Sequence, residues 1–155
     1  MEFGGKGFKP SIQVTQVSKL RRLEEGKLFS FEKLEVWKKA INLYAELAEI
    51  SASIPKIDQF SLGEQIRRAA LSISTNIAEG GGRNSLPEKK YFYNIAKGSV
   101  YEIVSLLILL KKKTYIDENK FNILYRQAEE IAKMLSGLLN QASELKTTNP
   151  KLRPT

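Results

Sequence analysis

Residues 118–145 read ENKFNILYRQAEEIAKMLSGLLNQASEL, and this stretch decides the fold. Its apolar residues recur at alternating steps of three and four positions through more than three heptads, which places them on one face of an α-helix. This stripe consists of Phe121, Leu124, Ala128, Ile131, Leu135, Leu138, Ala142 and Leu145. Asp117 precedes it and is a residue type that caps helix N-termini. We therefore predict a helix over 117–146 that buries one face.

Three segments upstream show the same helical periodicity. The first, residues 31–53, carries two adjacent apolar strips and is expected to stop before Pro55, because the residue before a proline disfavours the α region. The second spans residues 61–80 and the third spans residues 86–113, with residues 56–60 as a connection. Four amphipathic segments joined by short connections predict an all-α, antiparallel up-down-up-down four-helix bundle.

Cap residues set the expected ends of the two middle helices. Ser61 and Glu64 have capping-box spacing at the start of the second helix, and Ser85 and Glu88 repeat it before the third. The glycine run at 80–82 is expected to end the second helix, since glycine is the residue most often found just past a helix C-terminus.

The two ends of the chain differ from the bundle. Residues 1–30 hold several glycines and six basic against three acidic residues, and we predict a flexible, mostly irregular basic arm that either becomes partly ordered on binding or has no function. Residues 147–155 add two basic residues and are expected to be a disordered tail. The body, residues 31–146, has 17 basic and 14 acidic residues. Most of the net charge of +8 therefore lies in the two ends.

Composition limits the chemistry that these 155 residues support. The chain has no Cys and no His, which removes thiolate zinc sites, cysteine nucleophiles and the commonest general base. We expect no enzymatic activity, cofactor or metal. The longest apolar run, residues 100–110, has 11 positions, whereas a membrane-spanning helix needs about 20. We therefore expect a cytoplasmic protein without a membrane partner.

One side of the second predicted helix is small and polar. At about 100° per residue, a single face opposite the apolar one is formed by Arg68, Ser72, Thr75 and Glu79. Such a face suits close packing against another subunit or a ligand, although a solvated face with an incidental charge pair has the same pattern. We favour the subunit interface.

The third predicted helix carries a carboxylate on an apolar side. Glu102 shares that side with Tyr91, so we predict a buried carboxylate that needs a cationic partner, a hydrogen-bond donor or a shifted pKa. Arg67 or Arg68 is the candidate, because an antiparallel neighbour brings the second helix alongside. The far side of the same helix has surplus apolar residues, which favour oligomerisation. They are Tyr101, Val104 and Ile108.

Basic residues form several groups that are typical of phosphate contacts. Lysines are also common on solvated faces, and lysines at a helix C-terminus complement the helix dipole, so the pattern has an ordinary structural explanation as well. The candidate nucleic-acid-binding residues are Lys19, Arg21 and Arg22 in the arm, then Arg83, Lys89, Lys90, Lys97, Lys111, Lys112 and Lys113.

Three segments resemble a known family. They are FEKLEVWKKA at 31–40, QIRRAALSISTNIAEG at 65–80 and AKGSVYE at 96–102, and they are similar to bacterial four-helix bundle proteins encoded in intervening sequences of 23S ribosomal RNA genes. The resemblance implies a ring, typically a pentamer, and no established enzymatic activity. It also implies kinship with the accessory variability proteins of diversity-generating retroelements, which bind nucleic acid and a reverse transcriptase. The family's polar positions fall on Arg67, Arg68, Asn76, Glu79 and Glu102.

Three hypotheses about function follow from the sequence. The first is a homo-oligomeric bundle that binds RNA or DNA through phosphate contacts, as an accessory to an rRNA intervening sequence or to a retroelement reverse transcriptase. The second is a protein–protein scaffold with no nucleic-acid role. The third, an enzyme centred on Glu102, has no second catalytic group in support.

Overall fold

The structure of the protein, a computed structural model, describes residues 29–147, with side chains as far as Gln141. Its four long helices are α1 (Glu35–Ser53), α2 (Glu64–Gly82), α3 (Leu86–Lys112) and α4 (Glu118–Thr147). Consecutive helices pack side by side and α4 returns to α1, which gives an antiparallel up-down-up-down bundle. The predicted all-α fold is confirmed. The arm before residue 29 and the tail beyond Thr147 lie outside the described residues.

One core fills the centre of the bundle, and the heptad stripe of α4 contributes to it. The fully buried members of that stripe are Leu124, Ala128, Ile131 and Leu135. Of the two apolar strips on α1, the one that contains Leu43 and Leu47 is buried, whereas the other lies at the margin, where Ile41 is 38% exposed. The three- and four-residue spacing therefore predicts a buried face, but only the packed structure shows which of two adjacent strips is buried.

The first helix begins differently from the prediction. Instead of one helix from residue 31, a short 3₁₀ turn (Ser30–Lys33) precedes α1, and Leu34 between them has an extended backbone with φ −76° and ψ 118°. The Ser30 hydroxyl donates a hydrogen bond to the Gly81 carbonyl at 3.0 Å, and the Phe31 ring packs edge-on against Trp37 at 5.0 Å. These tertiary contacts turn the chain onto the end of α2. As predicted, α1 ends before Pro55.

The predicted start of the second helix is wrong. Residues 56–60 are helical rather than a connection, because a helical turn (Lys56–Asp58) and a π-helical segment (Gln59–Gly63) lead directly into α2. Ser61 lies inside the π-helical segment and its hydroxyl donates to the Asp58 carbonyl at 3.4 Å, so it does not cap a helix start. The Gln59 side chain donates to the Ile54 carbonyl at 2.8 Å, which satisfies an end carbonyl of α1.

The second helix also continues to Gly82, two residues beyond its predicted end, and stops where Arg83 becomes extended. Gly80 lies inside the helix, at the point where α3 crosses α2 at short range. A Cβ at this position would lie 2.6 Å from Cε1 of Tyr93. The Ser85 hydroxyl accepts a hydrogen bond from the Glu88 amide, and Asp117 accepts one from the Lys120 amide at 2.7 Å. Both predicted caps are confirmed.

Candidate nucleic-acid interface

The described chain begins and α4 ends on the same side of the bundle, where we define the arm end as residues 29–33 and 80–92. Residue 29, where the described chain begins, lies beside Arg83 in one surface groove. The C-terminal part of α4 passes Leu34 at Leu138 in a second groove and continues from there for about 14 Å to Thr147. Residues 1–28 and 148–155 therefore both join the described chain on this side of the bundle.

Arg83 is the best-defined cation of the arm end. Its guanidinium bonds to the Glu79 carboxylate at 2.5 Å and lies 4.8 Å from the ring centroid of Phe92. A guanidinium at that distance from an aromatic ring is held by cation–π attraction as well as by its ion pair. The side chain is half-buried, so its orientation is fixed before any ligand arrives.

Further aromatic rings lie in the same region as this arginine. Phe29 is 70% exposed and stacks on Phe31 with ring centroids 5.9 Å apart. Tyr91 is 63% exposed and meets Phe92 edge-on at 5.2 Å. The groove between the chain entry and α2, about 450 Å³ in volume, is lined by Phe29, Phe31, Thr75, Ala78, Gly82 and Arg83, among others. The contacts from Phe29 through this groove to Arg83, Phe92 and Tyr91 form one continuous surface.

Two of the three α3 lysines predicted near this region lie in it. Lys89 and Lys90 are half-buried in the first turn of α3, next to Tyr91. Lys97 lies about 10 Å further along the helix. There it lines a different groove of about 530 Å³, between α3 and α4, with Tyr101 and Tyr125. Lys97 is thus separated from the arm end.

The other predicted basic group lies at the opposite end of the bundle, the far end (residues 55–63 and 109–118). Lys112, which is exposed, is about 35 Å along α3 from Lys89. Lys111 forms an ion pair with Glu118 at 2.6 Å and lies 4.6 Å from the Phe121 ring centroid. The structure therefore does not gather the predicted cations into one patch.

Lys113 belongs to a tight cluster at this far end. The Asp58 carboxylate accepts hydrogen bonds from the Tyr115 hydroxyl at 2.5 Å and from the Lys113 ammonium at 2.9 Å. Both hydrogen bonds lower the pKa of Asp58 below its usual range, and the bond from Tyr115 has the larger effect. Hydrogen bonding to Asp58 in turn raises the pKa values of Tyr115 and Lys113. The charge of Lys113 is thus largely compensated within the chain.

The predicted burial of Glu102 and its predicted arginine partner are wrong, whereas the predicted alternative of a hydrogen-bond donor is met. Its side chain is half-buried rather than buried, and its hydrogen-bond donor is the Gln65 side chain instead of Arg67 or Arg68. Arg67 instead donates to the buried Ser51 hydroxyl at 3.1 Å. The side of α3 that carries Glu102 faces outward next to α2, so the carboxylate needs no buried cation.

The remaining polar positions of α2 serve local contacts. Arg68 and Glu79 are both exposed, as the helical projection predicts, and each pairs with a residue four positions away, Glu64 and Arg83 respectively. The Asn76 amide donates to the Ser72 carbonyl at 2.8 Å. The Ser72 and Ser99 hydroxyls are 2.8 Å apart and join α2 to α3. Among residues 29–141, no group of three carboxylates could hold a metal ion.

Part of the apolar surplus on α3 is exposed. Tyr101 is 63% exposed and Ile108 is also exposed, as predicted, whereas Val104 packs against the core. By length and composition alone α3 could cross a membrane, with mean hydropathy 1.3 over 18 residues, yet it also supplies the centre of the core. The two most exposed large apolar side chains, Ile57 and Phe60, lie at the far end.

The sequence analysis missed the aromatic part of the arm end. The signal was available, because residues 89–93 read KKYFY and so place two lysines directly before three aromatic residues. The contribution of Phe29 and Phe31 had no comparable signal, since their approach to Arg83 depends on the 3₁₀ turn that folds the chain entry onto α2.

Fold and surface together define a helical-bundle protein with cations and exposed aromatic rings at the end where the described chain begins. A sequence model of the 23S rRNA-intervening sequence protein family matches residues 32–137, and the chain belongs to this family. A protein of unknown function from the S23 ribosomal protein family of Bacteroides thetaiotaomicron has a similar fold, with TM-score 0.63 and 24% identity, covering 68% of this chain and 95% of that one. No curated protein matches the chain.

Proposed function

We propose that this protein is a non-enzymatic, homo-oligomeric bundle that binds nucleic acid, as structured RNA or as DNA, through phosphate contacts at the arm end. The observation that carries the proposal is the position of Arg83, Lys89 and Lys90 next to exposed aromatic rings at the arm end. Residues 1–28, with six basic and three acidic residues, join the described chain at Phe29, which lines the same groove as Arg83, and residues 148–155, with two basic residues, follow the end of α4.

The reach of the arm fits this role. Lys19, Arg21 and Arg22 precede Phe29 by at most ten residues, so an extended chain would place them within about 35 Å of the bundle. Cations on a tether of that length would add phosphate contacts to the contacts that the lysines fixed on α3 make. Each contact releases counterions from the nucleic acid. The body alone, with only a small positive excess, is a weaker source of affinity.

Oligomerisation strengthens the proposal. Exposed Tyr101, Ile108 and Leu109 give α3 an apolar outer surface that assembly would cover. A ring repeats the arm end once per copy, and linked binding sites raise the overall affinity without new contacts. The pentamer expected from the family resemblance belongs to this proposal, as does a role as accessory to an rRNA intervening sequence or a reverse transcriptase.

Binding measured against salt concentration tests the function. We expect the full chain to bind an RNA hairpin at low salt, with an association constant that falls steeply as salt rises. The double variant Lys89→Gln/Lys90→Gln should lower the salt slope by about 2, because each lost phosphate contact removes about one unit. The matched control is Lys112→Gln/Lys113→Gln, an adjacent lysine pair on the same helix at the far end.

The outcomes separate the hypotheses. A lower affinity and a lower salt slope in Lys89→Gln/Lys90→Gln, with little change in Lys112→Gln/Lys113→Gln, support the proposal. Absence of binding at low salt, or binding that does not respond to salt, contradicts it and favours the scaffold. Native mass measurement of the same preparation gives the number of copies, and a monomer would contradict the oligomeric part.

A further inference from the structure

We infer that the arm end binds unpaired nucleotides, and that the exposed rings of Tyr91 and Phe29 are the platforms on which their bases stack. The inference rests on the proposed nucleic-acid binding and specifies its ligand as single-stranded RNA or DNA, including the loops of structured molecules. Sequence-tolerant single-strand sites combine a positively charged surface with aromatic side chains on which successive bases stack.

The Phe29 ring offers one such platform. It is the outer member of a stacked pair with Phe31, at 5.9 Å and an interplanar angle of 14°, and 70% of the residue remains exposed. A base that stacks on it would extend an existing parallel stack by one layer. The ring borders the groove that Arg83 also lines, so a cation is next to the backbone of a stacked nucleotide.

The Tyr91 ring offers the second platform. It is 63% exposed, follows Lys89 and Lys90 directly in the chain, and is held edge-on by Phe92 at 5.2 Å. Phe92 is in turn fixed by the Arg83 guanidinium at 4.8 Å. Both exposed rings are therefore linked to one anchored arginine, Phe29 through the shared groove and Tyr91 through Phe92, an arrangement suited to successive bases along one strand.

A duplex uses this surface less well. In a double helix the bases are stacked on one another and their faces are not accessible to side chains, so a duplex would contact only the cations. Single strands add base stacking, which is worth about 1–3 kcal/mol per base when the aromatic residue is replaced by alanine. The arm end should therefore prefer unpaired strands to duplex of equal length.

The experiment measures fluorescence polarisation of labelled oligouridylate and oligothymidylate of roughly 12 nucleotides, a length within the range of known single-strand sites, against duplex RNA of equal length. We expect Tyr91→Ala in the full chain to weaken single-strand binding by about 5- to 150-fold and to leave duplex binding unchanged. Tyr91→Phe should retain affinity. The matched control is Phe60→Ala, which removes an aromatic ring that is 86% exposed at the far end and should leave single-strand binding unchanged.

The single tryptophan gives an independent signal. Trp37 lies 5.0 Å from Phe31, so stacking on Phe29 should change its fluorescence, and Phe29→Ala should remove that change. The ribose and deoxyribose oligomers show which sugar is preferred, and stronger binding of either one over duplex supports the inference.

Different failures have different meanings. If the protein binds duplex and single strand equally and Tyr91→Ala weakens neither, the inference is wrong while the proposed function stands. If no nucleic acid binds, both are wrong. If Tyr91→Ala changes the native mass and not the affinity, Tyr91 is covered by a second copy of the chain and the inference is again wrong.

Discussion

The two ends of the bundle use similar residues in different ways. At the far end, Lys113 donates to Asp58 and so joins the two connections, and Lys111 pairs with Glu118 across the turn between α3 and α4. At the arm end, Arg83 is oriented by Glu79 and Phe92 beside exposed aromatic rings, and two further basic segments join the bundle on its side. The far end thus uses its charges for internal contacts, whereas the arm end keeps a positive excess.

The difference shows why a count of lysines does not locate a binding surface. Lys111, Lys112 and Lys113 form the densest basic run in the sequence, yet two of the three are compensated by acids that folding brings from elsewhere. An exposed ion pair contributes little to stability, about 0–1 kcal/mol, but it does reduce the charge available to a phosphate. Arg83 is paired as well, with Glu79, so the arm end differs mainly in the basic segments that join the bundle on its side.

The largest expected effect comes from removing the arm's cations. The triple variant Lys19→Gln/Arg21→Gln/Arg22→Gln should reduce the salt slope of single-strand binding by about 2, at about 0.7 per cation, because these residues supply phosphate contacts beside the arm end. The measurement is a salt titration of oligonucleotide affinity.

A charge-conserving triple variant controls for side-chain identity. Lys19→Arg/Arg21→Lys/Arg22→Lys keeps the charge and should keep the slope. An unchanged slope in the glutamine variant would show that the arm does not contact nucleic acid, and it would remove the main contrast between the two ends.

Gly80 tests the close contact that builds the arm end. Gly80→Ala would place Cβ 2.6 Å from Cε1 of Tyr93 and is expected to lower the free energy of unfolding by about 1–3 kcal/mol through overpacking. Gly82→Ala is the control, because no atom lies within 4 Å of its added Cβ. Urea unfolding measures both. Equal stability of the two variants would show that α2 and α3 do not meet closely at Gly80.

A substitution at Glu102 tests whether its side chain is half-buried and bonded to Gln65 rather than buried beside an arginine. Glu102→Gln should change the free energy of unfolding by no more than about 0.5 kcal/mol, as expected for a surface polar group. Removing one partner of a buried ion pair would instead cost about 3–5 kcal/mol. A decrease of that size in the free energy of unfolding, measured with urea, would show that Glu102 forms a buried ion pair with an arginine after all.

The pH dependence of stability tests the far-end cluster, with the smallest expected effect. The lowered pKa of Asp58 gives stability that is complete above its unfolded pKa of about 3.9 and is lost as pH falls through the folded value. The raised pKa values of Lys113 and Tyr115 give stability that is complete below about pH 10 and is lost as pH rises through the folded values.

Asp58→Asn is the matching variant. Its deficit in thermal midpoint relative to the natural chain should be largest near neutral pH and should shrink towards both extremes. A deficit that does not vary with pH would contradict the hydrogen-bonded cluster and leave the far end without the internal contacts assigned to it.

The fold was predictable because the decisive information is local. The stripe of α4, the stop before Pro55 and the caps at Ser85 and Asp117 depend on residues a few positions apart. The start of α2 was not predictable in this way. Ser61 and Glu64 have the right spacing for a cap, but the side chain of Gln59 satisfies the end of α1 and keeps residues 56–63 helical.

The candidate site was less predictable because it depends on neighbours that are distant in sequence. Helical projection placed Arg68 and Glu79 on the outside correctly, but it assigned Glu102 to the core, since it cannot show which of two apolar sides faces inward. The common location of both chain ends with Arg83 follows from the topology and from the Ser30 contact to Gly81.

The most direct test of the central claim is photo-cross-linking of the full chain to an RNA that contains 4-thiouridine, with the modified peptides identified by mass spectrometry. We predict cross-links within the arm end, at Phe29 and at Tyr91 or their neighbours. Cross-links confined to the far end, around Phe60 and Lys112, would contradict the account.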